Sequence, residues 1–223
     1  QKGFGGHFHN DNAVASLRDI PGLVVASPAR PDDAAAMMQA CASVARTDGR
    51  VCVFLEPIAL YHTRDLHSDG DGGWLATYPS YGGHEQAATE VGRGRVYGDG
   101  RDLTLVTFAN GVHISLRVAE RLRSSGIGCR VLDLRWLAPL PVRDLLWEAD
   151  ATGRVLVVDE TRRTGGVSEQ VVTALVDAGF TGQVSRVAGA DSFIPLGDAA
   201  LHVLLSEDEV EKAAVDLVSD RAG

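Results

Sequence analysis

From Leu103 onward the chain switches repeatedly between two hydrophobic periods, and that alternation limits the folds open to it. LTLVTF (Leu103 to Phe108), CRVLDL (Cys129 to Leu134), RVLVVDE (Arg154 to Glu160) and QVSRVAG read as strands. Such nearly continuous apolar runs suit strands covered on both faces. Between them apolar residues recur at helical spacing. Val112, Leu116, Ala119 and Leu122 form one stripe, ended by Gly126. PVRDLLWEA, opened by Pro141, forms a second; Val167, Val171, Val172, Leu175 and Val176 form a third. Val210, Ala213, Ala214 and Leu217 stripe a terminal helix. Parallel strands need crossovers, and each crossover helix must bury its stripe on the sheet. The pattern predicts a complete three-layer α/β/α domain of roughly 120 residues.

A shorter unit of the same kind precedes it. LVVAS (Leu23 to Ser27) and VCVFL (Val51 to Leu55) read as strands around an alanine-rich helix, with Asp32 as its expected cap. From about Thr63 to Arg101 the texture becomes rich in Gly and Asp, as in HSDGDGGW and VGRGRVYGDGR. That stretch is expected to connect two domains, with a short strand or two of its own. The expected division is residues 1–95 and 96–223. The first residue is Gln1 rather than Met, and QKGFGG reads as neither a signal peptide nor a domain start. The chain is therefore expected to be a piece of a longer protein.

Charge and cysteine usage narrow the function. A net charge of -9 disfavours nucleic acid as a partner. No run approaches the roughly 18 apolar residues that span a bilayer, so no membrane is expected. Cys41, Cys52 and Cys129 are widely spaced in apolar runs. They suit reduced buried thiols in a cytoplasmic protein better than a disulfide framework or a zinc site.

Chemistry concentrates in GGHFHNDNA, Gly5 to Ala13. His7, His9 and Asp11 alternate and could converge on one ion if extended. HFHNDN approaches the HxHxDH string of metallo-hydrolases. Asn12, however, stands where the last histidine belongs, and the strand–helix texture does not suit that fold, so no metal is expected. Asp11 or Asn12 could instead cap a short helix through Leu17. Two histidines between glycines exceed what a cap needs, and imidazole can donate and accept a proton near neutral pH. The GDG strings at Gly70 to Gly72 and Gly98 to Gly100 read as turns, and TGGVSEQ (Thr164 to Gln170) as close helix–sheet packing rather than an anion cradle. Glu56, after a strand, suits either a buried acid or an ion pair. Trp136, in the apolar RWLAPLP, is expected to be exposed and to anchor a homodimer.

Taken in order, these stretches resemble the beta subunit of thiamine-diphosphate-dependent 2-oxo acid dehydrogenases, of the pyruvate and branched-chain type. The resemblance rests on the histidine loop with PGLVVASP, on VCVFLEPIALYH, and on VLDLRWLAPLP. TGRVLVVDETRRTGGVSEQ and RVAGADSFIPL extend it over nearly the whole chain. It implies an α/β chain in two parts. One is an incomplete transketolase-like pyrimidine-binding domain; the other is a complete transketolase C-terminal domain. It implies thiamine diphosphate and magnesium in the intact enzyme, held largely by an alpha subunit or fused N-terminal region. A lipoyl group on an acyltransferase partner would be the acyl acceptor. His9 aligns with the family's active-site histidine, and His7 beside it is expected to help bind substrate. The family usually reads His-Ser-Gln-Ser where this chain has His9-Asn10-Asp11-Asn12. Asp48 matches one residue of the potassium site that some family members hold, but Arg50 replaces its asparagine, so the ion is left unassigned. Transketolase and deoxyxylulose-phosphate synthase share both domains and are the alternative enzymes. A non-catalytic dimerisation or docking module is the alternative outside catalysis. Lacking the diphosphate clamp and the activating glutamate, the piece is expected to be inactive alone.

Overall fold

The computed structural model describes residues 14–78 and 89–220. It begins with helix α1 (Val14–Arg18), β1 (Val24–Ala26), α2 (Pro31–Thr47) and β2 (Cys52–Phe54). Next come β3 (Arg95–Tyr97), β4 (Leu103–Thr107), α3 (Asn110–Ser124), β5 (Cys129–Asp133) and β6 (Trp136–Ala138). The chain continues through α4 (Val142–Thr152), β7 (Arg154–Arg162), α5 (Val167–Asp177), β8 (Gln183–Gly189) and α6 (Glu207–Ser219).

Five strands form one sheet in the order β3-β5-β4-β7-β8. Its last four are parallel, and β3 closes the edge antiparallel to β5. Alternate strand residues sort cleanly between the faces. Val106, Leu132, Val155 and Val157 pack under α4 and α5, against Leu145, Ala149, Val167, Val171 and Leu175. Leu103, Leu105, Val131, Leu156 and Val158 pack under α3 and α6, against Val118, Leu122, Val210 and Ala214. Each such side chain contributes about 1.5–3 kcal/mol by leaving water. Three layers result, as the periodicity predicts. The last helix is fixed by a capping box: Ser206 Oγ accepts from the Glu209 N–H, and Glu209 accepts from the Ser206 N–H.

The smaller sheet, β2-β1-β6, joins two early strands to one more than eighty residues further along the sequence. β1 and β2 pair in parallel with α2 as their crossover, while β6 runs antiparallel on the other side of β1. This pairing overturns the expectation for Trp136. It is 0% exposed, packed among Val24, Ala26, Met37, Ala40 and Cys41, because β6 turns it under α2. The exposed tryptophan is Trp147, at 75%. Asp32 is not the cap of α2 either. Pro31 opens the helix and Arg30 stands at the cap, so Asp32 and Asp33 fall in the first turn, where the helix dipole favours carboxylates.

The chain runs from β4 out to β5, returns across to β7, and continues away to β8. The strand order therefore reverses between β4 and β7. In open α/β sheets that reversal leaves a crevice at the carboxyl ends of the strands, where ligands bind.

Candidate functional site

Both edges of the crevice are built from unusual backbone. At the end of β4, Ala109 holds φ 49°, a conformation that costs a residue with a Cβ. Its neighbour Gly111 allows the close turn, since a Cβ there would meet Thr107 Oγ1 at 2.1 Å. Thr107 Oγ1 itself donates to the Val158 carbonyl at 2.7 Å, tying β4 to β7. The turn delivers Asn110 to Glu160, whose carboxyl accepts hydrogen bonds from Asn110. Burial raises the Glu160 carboxyl above the ordinary range, opposed by those bonds, while Asp159 raises it further.

At the end of β7, the buried Asp159 organises the turn into α5. Its Oδ1 accepts from the Thr161 N–H at 2.9 Å and the Thr161 hydroxyl at 2.6 Å. Its Oδ2 accepts from the Ser168 N–H at 2.6 Å, filling the start of α5 from the sheet side. Gly166 permits this approach. A Cβ there would lie 2.3 Å from the Arg162 carbonyl oxygen and 2.7 Å from Asp159 Oδ2. Glu169 takes the Gly165 N–H at 3.0 Å, and Asp191 takes the N–H and hydroxyl of Thr164. TGGVSEQ is thus a close-packed turn, as read from its sequence, with the Thr164, Gly165 and Ser168 N–H groups engaged internally.

The opposite wall is the start of the described chain. A cleft of about 50 Å³ is lined by Val14 and Ala15 together with Glu160, Thr161, Arg162 and Gly165. Arg18 fastens α1 to the turn, donating to the carbonyls of Gly166 at 3.2 Å and Gly165 at 3.3 Å. His7 and His9 lie outside the described residues, but the histidine segment leads directly into Val14. Nothing in the sequence pattern marks Arg18, Asn110 or Asp159 for this site. Only the glycine pair, Gly165 and Gly166, signals the turn.

The remaining candidates resolve individually. Around the first GDG, the Asp71 carboxylate accepts from the N–H groups of Leu66, His67, Ser68 and Gly73, which hold it well below the usual carboxylate range. The second GDG forms the turn between β3 and β4, where the Asp99 and Gly100 carbonyls accept from Arg130. Glu56 is exposed and accepts from the Tyr61 hydroxyl at 2.5 Å, so it is no buried acid. All three cysteines are free, and burial pushes the Cys129 thiol up to about 12, which leaves it inert as a nucleophile. Among the described residues no group of three or more His, Cys, Asp and Glu could hold a metal, and no helix is long and apolar enough to cross a membrane.

A five-stranded sheet covered by helices on both faces, with its strand order reversing between β4 and β7, defines a three-layer α/β protein. More specifically, the chain belongs to the family "Transketolase, C-terminal domain", which matches residues 92–210. It is similar to the pyruvate dehydrogenase E1 component subunit beta of Bacillus subtilis (strain 168), 29% identical over 194 residues, 86% of this chain and 54% of that protein. The subunit of that name from Staphylococcus aureus (strain N315) is 30% identical over 209 residues, 92% of this chain and 59% of that one. Among solved structures, "Split gene transketolase, inactive beta4 tetramer" superposes with a TM-score of 0.69 at 25% identity. That match covers 92% of this chain and 60% of the other. The chain thus spans a little over half the length of the relatives it matches.

Proposed function

We propose that the chain is the C-terminal part of a thiamine-diphosphate-dependent 2-oxo acid dehydrogenase, its decarboxylating and lipoyl-acylating component, of the pyruvate or branched-chain type. The observation that carries this reading is the wall of the crevice. Val14 and Ala15, reached directly from the histidine segment, line one cleft with Glu160 and the Gly165–Gly166 turn. A sheet-end crevice of this family is where a substrate contact from that segment would belong. In this reading residues 1–95 complete a pyrimidine-binding half and residues 96–223 form the C-terminal domain.

The described residues do not fit the cofactor's diphosphate end. The N–H groups around Asp71, and the Ser168 N–H at the start of α5, are already bound to carboxylates of this chain. Thiamine diphosphate and magnesium therefore belong with an alpha subunit or fused N-terminal region, and this piece is inactive alone. His9 faces the substrate, hydrogen-bonding its carboxylate, and His7 assists from the adjacent position. The acyl acceptor is a lipoyl group on an acyltransferase partner. The protein works as a homodimer of this part in the cytoplasm.

The test is His9→Ala in the intact enzyme. Losing a positioned acid–base or orienting contact costs about a hundredfold or more in turnover with folding unchanged. His7→Ala costs less. Full activity in both variants would remove the assignment, and equal losses rescued by added metal ion would make the pair a metal site.

A further inference from the structure

A second polar centre lies at the carboxyl end of β5, one strand over from the crevice edge on β4. Antiparallel pairing sets Arg95 opposite Asp133 and Tyr97 opposite Val131, so Arg95, Tyr97 and Asp133 share one face of the sheet. The first turn of α2 reaches over that face. Arg95 Nη1 donates to Asp32 at 2.8 Å and to Asp33 at 3.0 Å. Arg135, at φ 58°, gives its guanidinium to Asp33 and its backbone N–H to Asp133 Oδ1 at 3.0 Å. Arg30 lies 3.7 Å from Asp32 and 5.0 Å above the ring of Trp74. The β1–α2–β2 unit is thereby fastened to the five-stranded sheet through charged groups.

The hydrogen bonds are incomplete where the cluster is deepest. Asp133 is 0% exposed, and its Oδ2 has no partner in the protein. The hydroxyl of Tyr97 and the Nε of Arg135 are likewise buried and unpaired. The guanidinium of Arg135 is spent on Asp33, and that of Arg95 on Asp32 and Asp33. Asp133 keeps only a backbone donor. Its register partner on β4, Thr107, spends its hydroxyl on Val158.

We propose that Asp133 is a proton-controlled latch between the β1–α2–β2 unit and the five-stranded sheet. With its proton the carboxyl is neutral and stays buried in the junction. Without it, a second carboxylate is buried beside Asp33 with no guanidinium in contact, and opening to water is favoured. Burial, then Asp33, raises this carboxyl to about 7, against the Arg135 N–H and the charges of Arg135 and Arg95. Burial also raises the Tyr97 hydroxyl, keeping it protonated.

The direction follows from linkage. Closed, the carboxyl titrates near 7; opened, it returns toward 3.8, so opening releases a proton between those values. The contribution of Asp133 to closure is complete below the lower value. The opening constant then rises by about tenfold per pH unit and levels off above the upper one. His113 on α3, whose ring lies 4.9 Å from that of Trp74, works the other way. Burial lowers its pKa, so its own contribution to opening falls as pH rises.

Hydrogen exchange on the full chain tests the latch, with protection in α2 and β1 corrected for the intrinsic base-catalysed rate. Protection should fall by about a hundredfold from roughly pH 5 to 7 and then stay level, while α5 does not change. Asp133→Asn should abolish the slope. A flat wild-type profile, or an unchanged slope in that variant, would overturn the proposal. If the variant does not fold, the carboxyl carbon of Asp133 can be titrated in the wild type by NMR. A midpoint near 7 supports the latch, and one near the ordinary aspartate value sinks it. Neither readout depends on activity, so the latch stands or falls apart from the proposed function.

Discussion

The two polar centres stand at carboxyl ends of the same sheet and meet the cost of burial in opposite ways. At the β4–β7 crevice, Asp159 receives three hydrogen bonds and Glu160 is engaged by Asn110, while the cleft stays open to an incoming group. At the β5 end, Tyr97 Oη, Asp133 Oδ2 and Arg135 Nε are buried without hydrogen-bond partners. Charge pairs hold that junction shut. The difference separates two uses of buried polarity. A satisfied network is rigid and can present a surface; an unsatisfied one is poised to change state.

The strongest way to break this comparison is to remove a charge from the junction. Arg135→Met keeps an unbranched apolar stem but removes the guanidinium, leaving Asp33, whose side chain is 5% exposed, facing Arg95 alone. Removing one partner of a buried pair costs about 3 kcal/mol or more, because the other charge stays desolvated. Urea denaturation should register a drop of that size. A neutral result would mean that packing, and not charge, joins the two sheets.

On the crevice side the expected effect is smaller and steric. Gly166→Ala puts a Cβ 2.3 Å from a backbone oxygen, so the turn must move off Asp159. Overpacking of this kind costs about 1–3 kcal/mol. Gly165→Ala, next to it, has only Ala15 Cβ at 3.8 Å and instead strains a φ of 72°. Comparing their thermal unfolding sharpens the assignment. Equal losses would show that turn conformation, not the approach to Asp159, dominates.

How far the sequence reveals these centres depends on the range of the interactions behind them. The strands and helices from Leu103 to Gly189 are legible because each carries its own period. β6 is not. It is three residues long and follows β5 almost at once, and its partner β1 lies more than a hundred residues earlier. The same long-range pairing buries Trp136, which in sequence is only an apolar residue beside an arginine. The Gly165–Gly166 turn is legible from its glycines, and the GDG turns from theirs. The crevice needs the order of the strands, a tertiary fact. Asp133 and Asp159 both end apolar runs and look alike in sequence. Only the groups packed around them make one orphaned and the other capped.

The smallest expected effect uses the two tryptophans to isolate the junction from aromatic content in general. Trp136 is fully buried behind the junction, and Trp147, on the outer side of α4, is 75% exposed. Trp147→Ala removes little buried area, so stability should change by less than about 0.5 kcal/mol. Trp136→Ala leaves a cavity between β1 and α2 and should cost about 3–5 kcal/mol. Fluorescence distinguishes the roles independently, because Trp74, at 1% exposure, is buried as well. Acrylamide should quench one class of emission, and Trp147→Phe should remove that class alone. If Trp147→Ala instead destabilises the protein as much as Trp136→Ala, the outer face of α4 is covered in solution. The exposed surface described here would then be an interface.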